Sequence, residues 1–170
     1  AAGERVLVAG ATGAVGGAAV QIARHLGARV TATASPANHA LARELGAETV
    51  SDYREAPPAG PFDVIVDVMG KLGWDGAAPL LAPGGRLVLV TADLSQMLGA
   101  ALRARRDRRQ VLTGTSKEDR AGMERLLALH RDGGYTPCVG PQLPFSALSA
   151  AHGLAEGFHK PGNIVILFGK

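Results

Sequence analysis

The chain has 170 residues, of which 46% are hydrophobic and 19% charged, a composition that suits one soluble globular domain with a full core. Its single cysteine, Cys138, excludes an intrachain disulfide and a cysteine-rich zinc site, and no apolar run approaches the roughly 18 residues that span a bilayer. The formal charge of +3 has one local source, ALRARRDRRQ; without Arg103, Arg105, Arg106, Arg108 and Arg109 it would be −2. So narrow a basic stretch, with only 4% aromatic residues for base stacking, argues against nucleic acid as a partner. The opening AAGER lacks the basic start and apolar segment of a secretory signal, so a reducing cytoplasm is the expected compartment.

Strands read as continuous apolar runs, as in a parallel sheet covered on both faces. In chain order they are expected at 5–9, 29–34, 48–50, 62–68, 86–91, 110–113 and 163–168. After the first, Val15, Ala19, Ile22, Ala23 and Leu26 mark one helical face, which Gly27 ends. In SPANHALARELG, Ser35 stands as N-cap, Pro36 at the first helical position and Gly46 at the stop. SKEDRAGMERLLALHRDGG opens with a capping pattern at Ser116 and Asp119. It is expected to bury Met123, Leu126 and Leu127 and to end at Gly133 and Gly134. Ser146 is expected to cap a further helix ending near Phe158. Two stretches with three prolines each, 54–61 and 136–144, read as loops. Strand–helix alternation of this kind predicts an α/β fold, a three-layer doubly wound parallel sheet of the Rossmann type, with 1–170 as one domain.

The stretch VLVAGATGAVGGA carries Gly10, Gly13 and Gly16 straight after the first strand. In such sheets ligands bind outside the carboxyl ends of the strands, where the first strand turns into its helix. The free N–H groups and dipole of that helix favour a phosphate. Gly13 is therefore expected where backbone nears a pyrophosphate, and Gly16 where the helix lies on the strand. Against the G-x-G-x-x-G spacing, Ala11-Thr12-Gly13-Ala14-Val15-Gly16 begins with alanine, which is tolerable if the turn demands no positive φ there. Helix–strand packing alone would also explain these glycines.

An NAD site usually places an acid at the end of the second strand to hold the ribose hydroxyls. Here Val30-Thr31-Ala32-Thr33-Ala34-Ser35 has none, and the next acid is Glu44. An acid would repel a 2′-phosphate, so its absence permits NADP. Ser35 is placed to donate to that phosphate, or to serve as an N-cap, and the two roles can coexist. His39, four residues on, can lie over the phosphate or be a solvated helix residue. Tyr53 can flank the adenine or pack half-buried. The ends Val68-Met69-Gly70 and Val90-Thr91-Ala92 are expected on the nicotinamide side. Asp63 and Asp67 alternate on strand four, but Asp63 lies at the wrong end of the sheet and Asp67 reads as a structural acceptor.

With these parts in place the chain resembles the cofactor-binding half of a medium-chain dehydrogenase/reductase, in the zinc-independent quinone oxidoreductase-like branch. AGERVLVAGATGAVGGAAVQIARHLGARVTATAS, ARELGAETVSDYRE, FDVIVDVMG, LAPGGRLVLV and FSALSAAHGLAEGFHKPGNIVIL carry the resemblance in order over nearly the whole chain. The resemblance implies NADPH binding, with the family's glycine loop on Ala11, Gly13, Ala14, Val15 and Gly16. It puts the 2′-phosphate serine on Ser35, the tyrosine on Tyr53, and a basic residue on His39, where the branch commonly has lysine. It implies hydride transfer between nicotinamide and a quinone, enone or carbonyl substrate, and a homodimer joined at sheet edges near 110–113. Members of the family carry an upstream β-rich catalytic domain. The expectation is therefore that this chain is the cofactor domain alone, without catalytic residues and inactive by itself.

Other classes fit less well. The Tyr-x-x-x-Lys pair of short-chain dehydrogenases is missing, because Tyr53 is followed at that spacing by Pro57 and Tyr135 by Val139. A non-catalytic NADP sensor stays open. An S-adenosylmethionine-dependent methyltransferase is suggested by FDVIVDVMG and LLAPGGRLVLV, but would want the missing acid at the end of strand two. His152 and His159 do not match zinc spacing, and Cys138 in YTPCVG reads as a small strand hydrophobe rather than a nucleophile. The arginine run reads as a solvated helix end near the cleft mouth, with an anionic acyl carrier or coenzyme A as the alternative partner.

Overall fold

The structure, a computed structural model, describes residues 1–91, 94–113, 119–157 and 162–168. Six strands form one wholly parallel sheet: β1 (Arg5–Ala9), β2 (Arg29–Ala34), β3 (Thr49–Asp52), β4 (Phe62–Asp67), β5 (Leu81–Leu89) and β6 (Gln110–Leu112), in the order β3-β2-β1-β4-β5-β6. The order reverses between β1 and β4, which creates a crevice at their carboxyl ends. The predicted α/β Rossmann class is the observed one.

The strands read as unbroken apolar runs because both faces are covered. On β1, Val6 and Val8 enter one core cluster with Val20 of α1 (Ala14–His25) and Ala42 of α2 (His39–Glu44). Between them Leu7 enters the opposite cluster with Ile65, Leu87, Trp74 of α3 (Gly73–Ala77), and Ala100 and Ala104 of α4 (Leu94–Arg106). Leu7, Ile65 and Leu87 are fully buried, each worth about 1.5–3 kcal/mol in transfer alone.

α1 keeps the middle of the predicted stripe, with Ala19 and Ala23 packed against the core, but not its ends. Val15 and Leu26 are 50% and 57% exposed, while Gly16, Gly17 and Val20 are buried. The helix approaches so closely through its glycines that its smallest face, not its bulkiest, points inward. The segment after Ser35 begins as a short 3-10 turn (Pro36–Asn38) before α2, and Ser35 makes no side-chain cap bond. β5 starts at Leu81, ahead of the expected 86, with an irregular register against β4 between Phe62 and Val64.

The last third departs most from expectation. The proline-rich stretch read as a loop contains β7 (Val139–Pro144), which pairs in parallel with β8 (Asn163–Leu167) in a separate sheet of two strands. Proline is tolerated there because each strand has a free edge. α5 (Arg120–Arg131) has no fully buried residue. Of its expected apolar face, Leu126 is part-buried while Met123 and Leu127 are 59% and 50% exposed. Asp119 is its N-cap, accepting from the Gly122 N–H at 2.6 Å; Ser116 lies outside the described residues, as do Phe158 and His159. Ser146 sits inside a 3-10 turn (Phe145–Ala147) ahead of α6 (Leu148–Glu156) rather than capping it. No helix among the described residues is long and apolar enough to cross a membrane.

Candidate cofactor site

The β1–α1 turn is built by its glycines. Gly10 adopts φ +86, and its N–H lies 3.3 Å from the Thr33 carbonyl. The Ala11 N–H donates to the same carbonyl at 3.1 Å. The positive φ thus falls on Gly10, and Ala11, fully buried, has no such demand. Gly16 lies against the Gly10 carbonyl so tightly that a methyl group there would overlap it. Gly13 is different: it is the N-cap of α1, makes no side-chain cap bond, and has open space where a side chain would stand. The first N–H groups of a helix lack intrahelical acceptors, so α1 presents an uncapped, positively polarised end.

That end opens on a cleft of about 300 Å³ at the strand carboxyl termini. Gly10, Thr12 and Gly13 form its floor, Thr33, Ser35, Asn38 and Tyr53 one wall, and Asp67, Val68 and Met69 the other. Of the predicted residues, Gly13, Ser35, Tyr53 and Val68 line it directly. His39 stands just behind Ser35, its Nε2–H donating to the Ala34 carbonyl at 3.3 Å. Ala14 and Val15 start α1 with exposed side chains. Thr91, at the end of β5, donates its hydroxyl to the Val68 carbonyl at 3.0 Å, and the Val90 N–H donates to the Asp67 carbonyl at 3.0 Å. Gly70 packs on the Thr91 carbonyl and faces a neighbouring cavity of about 350 Å³ beside Trp74 and Arg103. Ala92 lies outside the described residues.

Several cleft residues carry no sequence signal of their own. Thr33 ties the glycine turn to β2, Asn38 reaches the cleft from the 3-10 turn, and exposed Lys71 lines its far end. A lysine just after strand four is the one hint of a cation there. Asp67 is fully buried; its Oδ2 accepts from the Leu72 and Gly73 N–H groups at 3.0 and 2.9 Å. Asp63, at the opposite end of the sheet, accepts from the Arg5 N–H at 2.8 Å.

Beside Tyr53, Arg54 clamps Asp52, with Nη2 2.6 Å from Oδ2 and Nε 3.0 Å from each oxygen. This guanidinium hydrogen bond holds the Asp52 carboxyl below its usual range, against a smaller opposing effect of burial. The Arg54 guanidinium also lies 5.9 Å from the Tyr53 ring centre. In the basic stretch, Arg103 pairs with Asp75 at 2.7 Å and Arg109 donates to the Leu81 carbonyl at 2.8 Å. Only Arg105, Arg106 and Arg108 are left as an exposed basic group.

Chemically, the cleft offers a helix terminus for a diphosphate, the Ser35 hydroxyl and Asn38 amide as donors for a further phosphate, and the Tyr53 ring for a base. A dinucleotide fits this set: Gly13 leaves its space open, and no carboxylate lines the Ser35 wall. No group of three or more histidine, cysteine, aspartate or glutamate residues among the described residues could hold a metal ion.

Comparison with known proteins agrees with this geometry. The family model described as zinc-binding dehydrogenase matches residues 14–128. Polyketide synthase GfsB of Streptomyces halstedii is 47% identical over 91 residues, which cover 51% of this chain and 2% of that protein. Trans-enoyl reductase pgmF of Aspergillus terreus is 41% identical over 101 residues, 54% of this chain and 28% of that enzyme. The quinone oxidoreductase of Thermus thermophilus, solved also in its complex with NADPH, superposes with a TM-score of 0.78 at 35% identity. That alignment covers 97% of this chain and 58% of the other. The chain therefore spans a minor part of these curated relatives and little more than half of this solved one.

Proposed function

This chain belongs to the zinc-binding dehydrogenase family, as a cofactor-binding part of the medium-chain dehydrogenases/reductases, and from that premise we propose that it binds NADP(H). It would do so for an oxidoreductase acting on a quinone, enone or other carbonyl compound. The observation that carries the reading is the uncapped end of α1 opening on a cleft whose Ser35 wall has no acid. The NADPH complex of the Thermus thermophilus relative supports the cofactor, and the trans-enoyl reductase pgmF supports the enone.

In this reading the α1 terminus at Gly13 holds the pyrophosphate, with Ala11, Ala14, Val15 and Gly16 shaping the turn. Ser35 and His39 take the 2′-phosphate, and Tyr53 flanks the adenine. Val68, Gly70, Val90 and Thr91 wall the nicotinamide side. Bound NADPH supplies the hydride; these residues bind it, orient it and shield one face from water. A small molecule is the substrate, the cytoplasm the compartment, and neither nucleic acid nor a membrane a partner. The outer edge of β6, with Leu112 49% exposed, joins a second copy into a homodimer. The chain alone holds the cofactor without turning over substrate.

Titration with NADPH and NADH tests the reading. NADPH is expected to bind more tightly, and a chain that binds neither at millimolar concentration overturns it. Turnover of a quinone or enone by this chain alone would overturn the division of labour.

A further inference from the structure

Asp67 is a buried ionisable group that the proposed function does not yet use. It sits at the last position of β4, with Ala9 of β1 as its partner on one side and Leu89 of β5 on the other. It is fully buried, and yet it lines the cleft. One oxygen is well employed: Oδ2 accepts from the Leu72 and Gly73 N–H groups and so ties the end of β4 to the start of α3. The other oxygen, Oδ1, is buried and has no hydrogen-bond partner among the described residues. A buried carboxylate oxygen left unmatched costs more than a neutral group would, and proteins rarely keep such an atom idle.

The position says which donor it lacks. Ser35, Asn38 and Tyr53 occupy the β2–β3 side of the switch point, and Asp67 lies across it, beneath Val90. A dinucleotide whose pyrophosphate rests at Gly13 extends its adenosine half toward the first group and its nicotinamide half toward the second. The donors of that second half nearest a strand end are the hydroxyls of its ribose.

We propose that Asp67 is a positioning residue of the cofactor site, whose Oδ2 fixes the turn after β4 and whose Oδ1 accepts a hydrogen bond from a hydroxyl of the nicotinamide-side ribose. This rests on the reading of the cleft as an NADP(H) site. The same carboxylate then couples the shape of the turn at Gly70 and Lys71 to the aim of the nicotinamide.

Asp67→Asn separates the two oxygens. The amide oxygen can still accept from Leu72 and Gly73, whereas the amide NH₂ cannot accept from a ribose hydroxyl. Affinity is measured for NADPH and for adenosine 2′,5′-bisphosphate, which lacks the nicotinamide ribose. NADPH is expected to weaken about tenfold, the weight of one hydrogen bond to a charged acceptor, with the bisphosphate unchanged. Equal weakening of both ligands, or of neither, overturns the proposal. Should the variant not fold, NADPH analogues lacking the 2′- or the 3′-hydroxyl of the nicotinamide ribose are titrated into the unaltered chain. One of them is expected to bind about tenfold more weakly, and two analogues that bind like NADPH overturn the assignment. An unaltered chain that does not bind NADPH overturns the cofactor reading and this proposal with it, whereas NADPH bound equally well by the unaltered chain and by Asp67→Asn overturns this proposal alone.

Discussion

The Gly10 carbonyl occupies the space that a side chain on Gly16 would need. Helix α1 therefore approaches β1 only as closely as a missing methyl group allows, and the same contact sets where its N-terminus points.

Gly16→Ala is expected to force the helix and the turn apart, at a cost of about 1–3 kcal/mol, the range for overpacking a tight interface. Denaturant unfolding should read that loss directly. Gly13→Ala, with open space around it, should change stability by less than about 1 kcal/mol. Its methyl would instead stand in the cleft, so NADPH affinity should fall at least about tenfold, or about 1.4 kcal/mol. A Gly13→Ala chain that binds NADPH as before would remove the phosphate from that position.

Ser35 makes no capping bond of its own, so Ser35→Ala should leave the melting temperature nearly unchanged. Its cost should fall on the 2′-phosphate. NADPH affinity is expected to drop about tenfold, as for a lost hydrogen bond to a charged group, while NADH affinity stays as it was. Isothermal titration with both cofactors checks this, and parallel losses would move Ser35 away from the phosphate.

The Asp52–Arg54 clamp predicts a pH effect of definite sign. The Asp52 carboxyl is held below its ordinary value of 3.8, chiefly by the Arg54 hydrogen bond. A carboxyl depressed in the folded state contributes stability above its unfolded value, and loses it as pH falls through the folded one. Melting temperature should therefore decline below about pH 4, and Asp52→Asn should flatten part of that decline. Because Arg54 is 62% exposed, solvent screening keeps the effect small. An acid limb identical in the variant would assign it to other carboxylates.

β6 is an outer strand of the main sheet, and Leu112 is half-exposed on it. Leu112→Arg places charge on that edge at little cost to a single copy, since charged edge strands resist pairing. Sedimentation should shift from a dimer toward the 17.4 kDa single chain. Dimers unaffected by the variant would relocate the interface.

Local sequence determined a good deal here. Bounds of β1 and β2 agree with the apolar runs to the residue, because a strand covered on both faces shows its burial in every side chain. The glycine turn and the acid-free end of β2 are equally local: backbone clearance and charge are properties of the residues that occupy the spot. Ser35, Tyr53 and Gly13 come to one cleft for that reason.

Tertiary structure decided whatever depends on a partner far along the chain. β8 reads as one more strand of the main sheet, yet it pairs with a proline-bearing neighbour elsewhere, and an apolar run does not name the strand beside it. α5 has an apolar face, but periodicity cannot say which of its residues are covered. Asp67 reads as an ordinary structural acid; only the parallel alignment of β1, β4 and β5 buries it at the crevice with one oxygen held and one without a hydrogen-bond partner among the described residues. The residue pattern wrote the strands and the glycine turn, and strand order, a long-range choice among burial-equivalent pairings, brought them to one cleft.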